Sequence, residues 1–179
     1  MYALCSKVVI NGLTFQSIHE VTIKRSIYEL GATATIKVPV TAVLMQQGEP
    51  PTQIETAQMI KVGDPVGIDV GYDGKLRTEF VGYVKTLNLQ TPLEIVCEDM
   101  FYILREKNLT LSGKTTLADI IAKCELEVGY VADLTIADFP VDNKPASWVL
   151  GKLKTDYGLA IWFDMEGKVY ACEPYKVRG

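Results

Sequence analysis

With 179 residues, 48% of them hydrophobic and 22% charged, and a mean hydropathy of +0.13, the chain is globular and apolar enough to keep surface for partners. A chain of this length buries roughly 70% of its unfolded surface, so one or two domains form without staples. A net charge of −4 and a pI near 5.1 argue against a protein that grips phosphate backbones. No apolar run approaches the ~20 residues that span a bilayer, and residues 1–7 lack a basic region followed by an apolar one, so neither membrane insertion nor that export route is expected.

The first stretch, from Tyr2 to about Glu98, is written in short alternations rich in β-branched residues. Asn11-Gly12 predicts a tight hairpin between a strand ending Val8-Val9-Ile10 and one beginning Leu13-Thr14-Phe15. Strands follow from Val21 and from Ala32, with Gly31 as the bend between them. Residues 40–60 are too long for a hairpin and carry Gly48, Pro50 and Pro51, which predicts either a loose surface excursion or an arm that orders on assembly.

Between Gly63 and Gly74, Val66, Ile68, Val70 and Tyr72 share one face of a half-buried strand. On the return, Leu76, Thr78, Phe80, Gly82 and Val84 share a face, and the two sets oppose each other only across a loop of odd length. A three-residue loop, Tyr72-Asp73-Gly74, with a bulge at Gly74 is therefore predicted. Mid-strand Gly67, Gly71 and Gly82 point to sharp coiling or close backbone approach, as at a barrel corner. A strand at Leu93–Glu98 follows a turn at Thr91-Pro92.

After Asp99 the periodicity becomes helical. A short helix is predicted near residues 99–107, then an amphipathic helix with its stripe at Leu117, Ile120, Ile121, Cys124 and Val128, opened by a capping box at Thr116 and Asp119 and stopped by Gly129. A second helix is expected from about Lys144 to Tyr157, with Pro145 in its first turn, Trp148, Leu150 and Leu153 toward the core, and Gly158 ending it. A hairpin around Glu166-Gly167 closes the chain. The expected fold class is α+β and β-rich: a small, partly open antiparallel β-barrel over residues 1–104, then a smaller lobe of two helices and a β-hairpin over 105–179.

Candidate chemistry is sparse. Cys5, Cys97, Cys124 and Cys172 contain no Cys-x-x-Cys pair, and with His19 as the single histidine they make no zinc set, so buried reduced thiols of a cytoplasmic protein are expected. Ser112-Gly113-Lys114-Thr115-Thr116 imitates the end of a phosphate-binding loop, and Asp164 the aspartate of its metal strand, but Asn108 stands where the loop needs glycine. Glu98-Asp99 is expected to be solvated or to cap, and His19 has no serine–acid partners in view. The rhythm of residues 116–129 also matches, weakly, a LysM-type carbohydrate-binding module. No catalytic, metal or cofactor residue is assigned, and the chain is expected not to be an enzyme.

Taken in order, the entry at Ile60–Pro65, the Phe-x-Gly strand at Phe80–Gly82, the strand ending Glu98-Asp99 and the helix, helix and hairpin downstream resemble the hub proteins of phage tails, the late control protein D group, and the related spike hubs of contractile injection and type VI secretion machines. The resemblance implies a structural baseplate protein, typically a homotrimeric ring joining tail tube to central spike or tip, assembled in the bacterial cytoplasm and carried in the virion tail. DNA passes through the channel of such a ring without specific binding, and an acidic average charge suits that passage. Exposed barrel edges can also add strands across subunits.

Overall fold

Asn11 and Gly12, with φ of 48° and 80°, turn β1 (Leu4–Ile10) back on β2 (Leu13–Phe15) as the sequence predicts. The computed structural model describes residues 4–15, 17–44, 50 and 52–174. The described residues up to Lys24 and from Thr33 to Asp99 form one compact unit, and Arg25–Ala32 with the chain from Met100 form a second.

In the first unit, β3 (Glu20–Lys24), β4 (Thr33–Val38), β7 (Pro65–Tyr72), β8 (Lys75–Asn88) and β9 (Leu93–Glu98) join β1 and β2 in one antiparallel seven-stranded sheet of order β2-β1-β7-β8-β9-β4-β3. Its two outer strands, β2 and β3, do not pair with each other, so the hydrogen-bonded sheet is open. Period two puts Val8, Ile10, Ile36, Val38, Val66, Ile68, Phe80, Val84, Ile95 and Cys97 on one buried face, and this face is the unit's core. The other face is polar, with Glu20 bound to Lys37 at 2.7 Å, Thr78 to Asp69 at 2.8 Å and Asn88 to Glu94 at 2.7 Å.

The β7–β8 hairpin departs from its expected form. Tyr72 pairs directly with Lys75, so Asp73 and Gly74 (φ 52° and 78°) make a two-residue turn instead of the predicted three-residue loop. The odd residue that the apolar pattern demands is present, but farther along: the register shifts between Ile68 and Asp69, leaving Glu79 as the bulge. Of the mid-strand glycines, Gly71 and Gly82 do meet close backbone, since a Cβ would overlap the Lys75 carbonyl or the Glu98 carbonyl; Gly67 faces open space. Residues 40–60, expected to be too long for a hairpin, do pair antiparallel where described, as β5 (Thr41–Leu44) and β6 (Thr52–Glu55), because the ladder is only four residues long and the excess lies in the connection; the single turn α1 (Thr56–Met59) follows. Residues 45–49 and 51 of that stretch lie outside the described residues.

The second unit packs around Phe101, Leu117, Ile120, Ile121, Val149, Leu150, Leu153 and Val169, with Phe101 edge-on to Phe163 at 5.1 Å. The helix expected at residues 99–107 shrinks to a 3₁₀ turn, Ile103–Arg105. The capping box forms in full at the start of α2 (Leu117–Lys123), where Thr116 Oγ1 accepts from Asp119 N at 3.1 Å and Thr116 N donates to Asp119 Oδ2 at 3.3 Å. That helix ends at Cys124, well before Gly129, which sits in β12 (Val128–Val131) against the face of the Tyr170 ring. The glycine serves close packing rather than helix termination.

Between the helices the chain forms β10 (Asn108–Leu111), β11 (Thr115–Thr116), β13 (Thr135–Ile136) and β14 (Val141–Pro145), which pair as β10-β14 and β11-β13. Helix α3 (Ala146–Tyr157) begins two residues later than expected because Lys144 and Pro145 complete β14. Gly158, at φ 63°, ends it as predicted. Leu150 and Leu153 are buried, but Trp148 is 44% exposed and not part of the core. β15 (Ala160–Phe163) and β16 (Val169–Cys172) form the expected closing hairpin, and β12 adds to β16 in parallel. Among the described residues no helix is long and apolar enough to cross a membrane.

Two consequences are measurable. Gly82→Ala should cost about 1–3 kcal/mol, because the new methyl meets the Glu98 backbone and the Phe80 ring, which can yield only by moving strands; urea unfolding would register the loss. Burial raises the Cys97 and Cys124 thiols to about 12 and about 11, so an alkylating reagent at pH 8 should label the half-buried Cys5 well ahead of either, as peptide mass mapping would show.

Candidate assembly interface

The residues whose sequence pattern suggests chemistry hold structural hydrogen bonds. Thr115 and Thr116 pair with β13, and the Asp119 amide of the first turn of α2 is bonded to the Thr116 hydroxyl, so Ser112–Thr116 builds a helix cap and not a phosphate cradle. Asn108 lies in β10, where its amide donates to Asn143 Oδ1 at 3.0 Å. Asp164 closes its hairpin by accepting from the backbone N–H groups of Glu166 and Lys168, both at 2.9 Å. His19 is exposed, and its backbone N–H donates to the Lys37 carbonyl at 2.8 Å.

Glu98 and Asp99, expected to be solvated or to cap, are both buried. The cause is the place of β9 between β4 and β8: Glu98 pairs with Thr33 on one side and Tyr83 on the other, and the Lys85 ammonium stands 3.5 Å from its carboxylate. Among the described residues no group of three or more His, Cys, Asp and Glu is placed to hold a metal. After α2 the chain enters β12, β13 and β14 before α3, so the second helix that a LysM-type module needs does not follow the first.

What the first unit does offer is strand edge. β2 pairs with β1 only at Val8–Ile10, and β9 reaches along β8 only to Tyr83. The ends of β1, β7 and β8 therefore run on together as a three-stranded tongue made of Leu4–Lys7, Asp69–Tyr72 and Lys75–Thr78. Tyr72 and Leu76 lie on opposite faces of it and are 57% and 39% exposed, so both faces meet solvent. Along Lys75–Thr78 all four residues are exposed, and no described strand lies on the side away from β7.

The arm is the second such feature. β5 and β6 hydrogen-bond only to each other among the described strands, and Val43 on β5 is 62% exposed. A lone two-stranded ribbon is marginal in water. Its base is held by Thr56, which is fully buried; the hydroxyl donates to the Pro39 carbonyl at 2.7 Å and the N–H to the Val40 carbonyl at 2.8 Å. Edge status is not written in the strand's own letters, so the tongue could not be read from the sequence, and residues 40–60 stay open there between a loose excursion and an arm.

In the second unit, the Arg25–Ala32 strap and α3 line an open apolar groove with Ile27, Tyr28 and Leu30 facing Trp148, Gly151 and Leu159. Lys154 ties the two together by donating to the Glu29 carbonyl, and burial holds its pKa below the usual lysine value against the opposing pull of Glu29. On the three-stranded sheet, Trp162 stacks on Tyr170 with ring centroids 5.4 Å apart, and the pair stays partly exposed.

No protein-family model and no curated protein matches the chain. The fold is nevertheless that of solved structures. The prophage MuSo2 43 kDa tail protein from Shewanella oneidensis superposes with a TM-score of 0.64 at 16% identity, over 99% of this chain and 57% of that one. A tail protein from Neisseria meningitidis MC58 follows with 0.57 at 13% identity, over 95% of this chain and 51% of its own. The prophage tail protein gp18 from Listeria monocytogenes EGD-e gives 0.55 at 12% identity, over 97% and 52%. The chain thus spans little more than half the length of the structures it resembles, and the likeness establishes a shared fold.

Proposed function

We propose that the chain is a structural protein of a phage or prophage tail: a baseplate-hub subunit that self-associates into a ring, a homotrimer in the simplest form, and joins the tail tube to the spike or tip. The observation that carries this reading is the fold likeness, which takes in 95% or more of the chain in three proteins described as tail proteins. The exposed strand edges support it, because edges recruit further strands through backbone hydrogen bonds.

In this reading the seven-stranded sheet is the hub's partly open barrel, and the second unit, Arg25–Ala32 with the chain from Met100, is its appended lobe. The chain is made in the bacterial cytoplasm and ends in the tail, with no catalytic role and no cofactor. DNA threads the ring without specific contact, since a chain of net charge −4 displaces few counterions from phosphate. Kinship with late control protein D and with the spike hubs of injection machines belongs to the same proposal.

A second reading rests on the exposed Trp162–Tyr170 stack, the kind of flat apolar platform on which a sugar ring can lie, and makes the second unit a carbohydrate-binding module. The mass of the chain across a concentration series, by light scattering coupled to size exclusion, separates the two. Under the hub reading the mass rises with concentration toward that of a trimer. A chain that stays monomeric throughout and co-sediments with peptidoglycan would instead favour the module, and thermal stabilisation by magnesium and ATP would point to an enzyme.

A further inference from the structure

The tongue has a second edge besides the one on β8. Asn11 N–H donates to the Pro65 carbonyl at 2.9 Å, which fixes the phase of the β1–β7 ladder: Val9, Lys7 and Cys5 turn their backbone groups to β7, and the even-numbered residues turn theirs away. Val8 and Ile10 engage β2 with those groups, but Leu4 and Ser6 lie beyond its end, where no described strand pairs with β1. On the far side of the tongue the two-residue turn closes on the Tyr72–Lys75 pair, so Lys75 and Arg77 bond to β7 while Leu76 and Thr78 point outward. Leu4, Ser6, Leu76 and Thr78 are all exposed, so two short open edges flank one three-stranded sheet.

β1 and β8 both run antiparallel to β7 and therefore point the same way. Rotating one copy about an axis along the tongue keeps strand direction, so it brings β8 of one copy beside β1 of the next in parallel. In a parallel ladder the outward groups of the two strands interleave. With Cys5 level with Leu76 and Ser6 with Arg77, Leu76 N–H donates to the Leu4 carbonyl, Ser6 N–H to the Leu76 carbonyl and Thr78 N–H to the Ser6 carbonyl; every group used is an outward one. The faces agree as well. Cys5, Gly71 and Leu76 form a row on one face of the tongue, and Leu4, Tyr72 and Lys75 a row on the other, so each row continues into the next copy.

We propose that the Leu4–Lys7 edge of one copy pairs in parallel with the Lys75–Thr78 edge of the next, joining the tongues into one sheet in which β8-β7-β1 repeats. This rests on the self-association proposed above and names its contact surfaces.

Other pairings are worse. Sliding β8 by two residues either way loses a hydrogen bond, because it needs Gly74 in the turn or Phe80 beyond the bulge. An antiparallel meeting of the same edges, Ser6 opposite Leu76, sets Lys7 against Lys75. Two β8 edges bond most fully with Leu76 opposite Thr78, which sets Arg77 against Arg77. Two β1 edges set Cys5 against Cys5 and leave both β8 edges bare. In the proposed register no like charges meet: Lys75 lies beside Leu4, Arg77 beside Ser6 and Lys7 beside Thr78.

Oxidation tests the pairing. Within one copy Cys5 and Leu76 are two strand spacings apart across Gly71, roughly 9–10 Å, which no disulfide spans. Between paired copies they are neighbours. Leu76→Cys in the otherwise unaltered chain should therefore give disulfide-linked dimers and higher multimers under mild oxidation, and should lose them when Cys5→Ser is added. Monomers alone from Leu76→Cys, at concentrations where the chain self-associates, would overturn the edge contact and leave self-association standing. Disulfide dimers of the unaltered chain, or of Leu76→Cys with Cys5→Ser, would overturn it in favour of like edges. As an independent readout, Ser6→Pro removes one outward N–H at an edge position that tolerates proline; it should weaken self-association about five- to tenfold with the circular dichroism unchanged. Undiminished association of that variant would count against the contact. An unaltered chain that is monomeric at every concentration would overturn both the pairing and the reading on which it rests.

Discussion

A two-residue turn and a strict period-two pattern cannot both hold along the whole β7–β8 hairpin, and the rest of the first unit depends on how the chain resolves that conflict. With Tyr72 paired to Lys75, an unbroken ladder would set Ile68 against Glu79 and turn Phe80 to the polar face. Burying one large apolar side chain is worth roughly 1.5–3 kcal/mol, and Phe80 is followed by Gly82 and Val84 on the same buried face. A bulge sacrifices part of one ladder step and recovers all three. Its position at Glu79, just outside the first core pair Ile68–Phe80, divides the hairpin into a half that faces the core and a half that does not.

That division creates the tongue. Inside the bulge, side chains on one face are buried; outside it, both faces of β1, β7 and β8 reach solvent. Gly71 and Gly82 serve the same bend from either side, because each lies where another strand's carbonyl crosses too closely for a Cβ. A sheet with two wet faces and an edge four residues long contributes little to the stability of a monomer.

Local signals were legible in the sequence, and relations between distant segments were not. The Asn11-Gly12 turn, the Leu93–Glu98 strand, the Thr116–Asp119 box, the Gly158 stop and the closing hairpin each follow from a few adjacent residues, and each is present. Parity in the β7–β8 hairpin correctly demanded one extra residue, but parity carries no position, so Glu79 could not be picked out from the letters alone. Gly129 resembles a helix stop until Tyr170, some forty positions away, is laid over it. Trp148 fits the apolar stripe of α3 yet lies on its exposed side, facing the strap contributed by residues 25–32. Glu98 reads as solvated until β4 and β8 close on both sides of β9. In each case a neighbour supplied by the fold, and not the residue itself, decides the outcome.

The same dependence on distant neighbours holds at the base of the β5–β6 arm. The buried Thr56 clamps the arm to the Pro39 and Val40 carbonyls ahead of the single turn α1. A buried hydroxyl with its acceptor in place is costly to disengage, so the arm leaves the sheet in a defined direction instead of sweeping freely. Both acceptors lie sixteen and seventeen residues before Thr56, so the clamp is a relation between segments that no adjacent letters announce.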